Sequence, residues 1–222
     1  MSNIDLNRLA KGLKMIIDRL TPKPVDNVLY EMATDKTMLK FKGNALEIDR
    51  VQCSFIEFDA RTHKLKNAID IYLDVGEALC FCQDIVSGKI PKLAAVEKQR
   101  CANEGVKYPS EVYTSPLGGV SEEKAKKRGL RNDGKAISRL FKLSPGSKAD
   151  FIFSAEQRAG HTDPKLKKLI VPEGNPEITI RVACSAHQLK AMALTVKMHI
   201  EAFYAAKYSN NGYAMQQKTN SN

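Results

Sequence analysis

The stretch from Lys135 to Tyr208 reads as strand, turn, strand, charged loop, strand and one long helix, and that order constrains the fold more than any other feature of the chain. Ala136–Leu143 is apolar at Ile137, Leu140, Phe141 and Leu143. Pro145-Gly146 then supplies a turn, because proline presets φ and glycine accepts a positive one. Ala149–Ala155 is a second β-prone run built on Phe151-Ile152-Phe153, and a basic loop from Arg158 to Lys168 leads to Leu169-Ile170-Val171. Glu177–Cys184 alternates as a strand does, Ile178, Ile180 and Val182 on one face, Thr179 and Arg181 on the other. Ser185 opens a helix, with Gln188 at capping-box spacing. Leu189, Met192, Val196, His199, Ile200 and Phe203 carry it on at helical spacing.

The preceding residues repeat this plan more loosely. Ile4–Leu20 has the stripe Leu6, Leu9, Leu13, Ile16, Ile17 and Leu20, which predicts an amphipathic helix ended by Pro22 and Pro24. Val28–Met32, Met38–Phe41, Gln52–Ala60 and Ala68–Leu73 are the predicted strands, with polar turns at 34–36, 43–44 and 61–66. Asp74 opens a helix through Ile85, with Glu77 at the capping-box distance, and Ser87-Gly88 stops it. Lys92–Asn103 is a more polar helix ended by Gly105, and Glu111–Val120 is weakly extended. The expected class is α+β: two antiparallel sheet-plus-helix units in tandem, at 28–105 and 111–208, with an added N-terminal helix within 1–21 and a Ser/Asn/Gln-rich disordered tail at 209–222.

Charge is where composition enters. Residues 1–110 hold 17 Lys/Arg against 15 Asp/Glu, whereas residues 111–222 hold 18 against 10, so the excess of +10 sits mainly in the second half. Such asymmetry suggests a polyanionic partner, most simply nucleic acid. No run is long enough to span a membrane, no apolar leader is present, and five scattered cysteines suit a reducing compartment; the expectation is a cytoplasmic protein.

Compared side by side, Asn67–Asp74 and Pro176–Ala183 each end a set of strands and feed a helix. Two such units in tandem, with basic turns, resemble the Whirly and transcriptional-coactivator type of single-stranded-DNA-binding fold. The closest likeness is Lys135–Tyr208, with Met38–Gly88 as the looser counterpart, and together they cover just over half of the chain. The resemblance implies that strand surfaces and β–β loops bind the nucleic acid while helices hold a homo-oligomer together. Small basic proteins of this sort are also at home in phages, plasmids and conjugative elements.

Single strands are held by a basic groove that follows phosphates and by aromatic faces on which bases stack. Arg139 and Lys142 flank Phe141 on the first strand of the organising stretch; Arg158, His161, Lys165, Lys167 and Lys168 line its long loop; Arg181 lies on the polar face of its last strand. Arg61, Lys64, Lys66 and Tyr72 are the counterparts in the first half. Lys124, Lys126, Lys127, Arg128 and Arg131 form the densest basic run, which is either a binding segment or a solvated face. Phe141 and Phe151 are either stacking residues or core. Catalytic, metal-binding and cofactor sites are not expected: Gly118-Gly119 lacks the Lys and helix of a phosphate loop, and Cys80 and Cys82 on one helix point about 200° apart. The functional expectation is a single-stranded nucleic-acid-binding protein of low sequence specificity, DNA before RNA. The alternative is an assembly factor that uses its amphipathic helices and binds no nucleic acid.

Overall fold

In a computed structural model, which describes residues 27–166 and 169–219 with side chains through Ser209, the first sheet is an antiparallel meander of four strands. These are β1 (Val28–Ala33), β2 (Thr37–Lys42), β3 (Arg50–Phe58) and β4 (Leu65–Asp74). Alternation decides its faces: Leu39, Phe41, Val51, Cys53, Phe55, Ile69, Ile71 and Leu73 are buried, while Lys40, Gln52, Asp70 and Tyr72 point the other way. Two helices follow, α1 (Val75–Val86) and α2 (Lys89–Glu104). Gly88 and Gly105 sit at φ 83° and 66° at the boundaries where the sequence places the stops.

The second sheet comprises β5 (Tyr113–Thr114), β6 (Gly118–Val120), β7 (Ala136–Pro145), β8 (Phe151–Thr162), β9 (Ile170–Pro172) and β10 (Ile178–Cys184). Its order is β10-β8-β7-β5, with β6 also on β7 and β9 on β8. A short helix, α3 (Glu122–Lys127), precedes β7, and α4 (Ala186–Thr219) follows β10. The capping box is formed in both directions: Ser185 N–H donates to Gln188 Oε1 at 2.9 Å, and Gln188 N–H donates to Ser185 Oγ at 3.1 Å.

The α+β class with two antiparallel sheets holds, and the core runs continuously through both sheet-helix units. Phe141 of β7 is its hub. Its ring lies 5.8 Å from Phe55, 6.4 Å from Phe41, 5.6 Å from Phe81 and 5.5 Å from Phe153. Those partners come from β3, β2, α1 and β8, so one fully buried ring ties both halves together. Strand β10 lies against all four strands of the first sheet, and α4 packs on α1 and β1 through Leu189, Met192, Val196 and Ile200.

Four sequence expectations change. The Arg158–Lys168 loop is shorter than expected, because β8 continues to Thr162 under the hydrogen bonds of β7 and β9 and takes Arg158 and His161 into the sheet. Asp74 stands at the N-cap of α1 but makes no capping bond; its carboxylate pairs with Arg50 at 3.1 Å, and Glu77 accepts from the Tyr113 hydroxyl at 2.6 Å. His199 is exposed rather than apolar-facing. Helix α4 extends to Thr219, through most of the tail expected to be disordered, because a helix nucleated on a packed face grows at little cost per residue. The predicted helix at Ile4–Leu20, Lys167 and Lys168 lie outside the described residues. Among the described residues no helix is long and apolar enough to cross a membrane.

Candidate nucleic-acid interface

Where the two sheets diverge, a cleft of about 650 Å³ opens between β4, an edge strand, and the Ser115–Val120 segment that joins β5 to β6. Asp70, Tyr72 and Asp74 alternate outward from β4 and form one wall. Lys124 and Arg128, one turn apart at the end of α3, form another, and Arg139 of β7 reaches in from the floor. Gly119 makes the opposite wall possible. It sits at φ 150°, and a Cβ there would stand 1.9 Å from the Ile137 carbonyl oxygen, so only glycine lets β6 lie this close to β7.

Arg139 is the central group. Its Nε donates to Gln157 Oε1 at 2.9 Å, and its Nη1 donates to the main-chain carbonyl of Asp70 at 3.0 Å, capping the free edge of β4. It is half-buried, and among the described residues no carboxylate lies within 4.0 Å of it. Burial pushes its pKa down; the Asp70 and Tyr72 charges act against that shift, and the neighbouring Arg128 adds to it. Lys124 and Arg128 likewise have no ion-pair partner among the described residues. Tyr72, 45% exposed, presents a ring on the β4 wall. A partly desolvated cation beside a second cation, neither in ion-pair contact with a carboxylate, lowers its energy by accepting an anion. The other end of the cleft is acidic, with Asp74 compensated by Arg50 and Glu77 engaged by Tyr113.

The structure sorts the sequence-selected residues into three groups. Arg139, Tyr72, Lys124 and Arg128 come together in the cleft although they lie on three separate elements. A second group is tied up by carboxylates. Lys142 contacts Glu111 and Glu156, both at 3.0 Å, and Arg158 pairs with the same Glu156. Arg131 pairs with Asp133 at 2.7 Å and Glu177 at 2.6 Å, His161 meets Glu173 at 2.8 Å, and Lys66 meets Glu57 at 2.9 Å. The third group, Arg61, Lys64, Lys126, Lys127, Lys165 and Arg181, is exposed and lies outside the cleft. For Phe141 and Phe151 burial decides between the two readings: at 0% and 4% exposure both are core, which removes Phe141 from the candidate interface.

Sequence reasoning missed Arg50 and the Ser115–Gly119 wall. The available signal was Gly118-Gly119 within the weakly extended Glu111–Val120 run, weighed as a phosphate loop and not as a cleft wall. Among the described residues no three His, Cys, Asp or Glu side chains gather as metal ligands. Burial pushes the Cys82 thiol up to about 12 and raises Cys53 as well, so both are packing groups. No family model, curated protein or solved structure matches this chain.

Proposed function

We propose that this protein binds single-stranded nucleic acid, DNA before RNA, without strong sequence preference, and that the cleft beside β4 is the centre of its interface. The carrying observation is a cleft that gathers three cations without an ion-pair partner among the described residues, Lys124, Arg128 and Arg139, with the exposed Tyr72 ring on its β4 wall. Phosphates answer the cations and an unpaired base answers the ring, which is the combination that single-strand binders use. The sheet-then-helix order, twice in tandem, supports the same reading through its likeness to the Whirly type. The exposed cations Lys126 and Lys127, on the same short helix as Lys124, add positive charge beside the cleft and contribute to a strand's approach.

The test is fluorescence anisotropy with a labelled oligonucleotide, single-stranded and duplex, over a salt series. The expected result is preference for the single strand, with affinity falling steeply as salt rises, by a slope of about 0.7 per phosphate neutralised. Equal affinity for both forms would reduce the interaction to that of a generic polycation. Absence of binding at low salt removes the proposal and favours a protein partner.

A further inference from the structure

Helix α3 has six residues, and two of the three cleft cations, Lys124 and Arg128, stand on it and at its end. A helix that short does not hold its own shape in water, and its N-cap Ser121 makes no side-chain bond. Arg128 also stands close enough to Arg139 for the two charges to repel. Keeping α3 at the cleft therefore takes contacts from outside the helix, and there are three. At its start, the Glu122 carboxylate accepts from the Thr162 N–H at 2.7 Å and from the Thr162 hydroxyl, at the end of β8. In its middle, the fully buried Ala125 packs on Val120 and Ile137. Past its end, Leu130 N–H returns to the Ala125 carbonyl at 2.9 Å, and the Arg131 guanidinium forks onto Glu177 at 2.9 and 2.6 Å. Glu177 is itself bound to β8, its N–H donating to the Gln157 carbonyl at 2.9 Å.

We propose that Glu122 and Arg131 are positioning residues of the cleft: they fasten the two ends of α3 to the β8 side of the second sheet and so keep Lys124 and Arg128 beside Arg139. The inference rests on the nucleic-acid reading of that cleft. The sequence places Arg131 in the densest basic run as a candidate binding residue. The geometry gives it another task, since Asp133 takes its Nε and Glu177 takes both of its terminal nitrogens. Both gripping carboxyls are held below their ordinary 4.5, Glu122 chiefly by the Thr162 hydroxyl and Glu177 chiefly by Arg131, so both grips are ionic at neutral pH. The middle contact is a single methyl group, too small an apolar surface to fix the helix alone. Removing either carboxylate then has two effects of opposite sign on the binding of a polyanion. It raises the net positive charge by one, which strengthens binding, and it releases one end of α3, which weakens it.

The sign of the change tests this. The full-length chain and its Glu122→Ala and Glu177→Ala variants are titrated with a labelled single-stranded oligonucleotide over a salt series, with circular dichroism to show that each is folded at the titration temperature. Each variant should bind about three- to tenfold more weakly despite its added positive charge. The salt slope should fall by about 1, since up to two phosphate contacts at about 0.7 each are lost. In a Lys124→Ala/Arg128→Ala background, Glu122→Ala should bring no further loss, because it acts through those two side chains. Thr162→Val removes the hydroxyl without changing charge; it should weaken binding about twofold, and it decides the question for Glu122 if the alanine variant does not fold. Unchanged or tighter binding by the folded variants overturns the positioning role and leaves the nucleic-acid reading in place. So does a loss that persists in the doubly substituted background. A wild-type chain that binds no single strand removes both.

Discussion

Arg139 and Lys142 stand three residues apart on β7, and both were selected from sequence for the same task, yet their surroundings are opposite. Lys142 lies on the outer face of the sheet, held by Glu111 and Glu156. Burial alone would lower its pKa, but those carboxylates outweigh it and the net shift is upward. Arg139 lies on the inner face, at the margin of the core, where a carbonyl and an amide oxygen receive it and no carboxylate does. Its pKa is pushed down by burial instead. The lesson is that a basic residue marks an anion site by what does not neutralise it. Lys142 completes an internal ion pair, and Arg139 is left to complete one with a partner.

The largest way to break this comparison is to remove the scaffold common to both. Phe141→Ala should destabilise the fold by about 3–5 kcal/mol, since the ring joins both sheets and α1. Chemical denaturation measures it, and a loss under 1 kcal/mol would contradict the hub role. Next is Arg139→Ala. Loss of a charged contact of about 1.5–3 kcal/mol should weaken single-strand binding tenfold or more and flatten the salt slope. An unchanged slope would remove the cleft from the interface. On the other side of the strand, Glu156→Gln removes the carboxylate that serves both Lys142 and Arg158. It should cost roughly 1–3 kcal/mol of stability while leaving the folded protein's affinity unreduced.

Lys142→Ala should change affinity less than about twofold, below the effect of a single good contact. A loss as large as that of Arg139→Ala would mean that the ion pair opens on binding. The smallest effect concerns acid. The hydrogen bond from Lys142 holds the Glu111 carboxyl below its ordinary 4.5, with burial acting against it. A group whose folded pKa is depressed contributes stability above its unfolded value and loses it as pH falls through the folded one. Removing Lys142 should therefore raise the Glu111 midpoint in an NMR titration, and an unmoved midpoint would show that the pair is absent in solution.

Much of the fold was legible because local physics writes it. Period-two alternation marked β10, the Ser185–Gln188 pair marked the start of α4, and Gly88 and Gly105 marked two helix boundaries. Each signal is complete within a few residues. The length of β8 was less legible, because the bonds that hold Arg158 through Thr162 in a strand come from β7 and β9, distant in sequence.

Sequence by itself determined the class of the fold, the two-fold recurrence of sheet then helix, and the placement of positive charge in the second half. Only the tertiary structure decided which of those charges stay unanswered. Lys142 meets Glu111 across 31 residues, Arg131 meets Glu177 across 46, and Arg139 reaches the Asp70 carbonyl across 69. Compensation of charge is a matter of distance in space, and it acts over a few ångströms between groups whose order along the chain carries no trace of it.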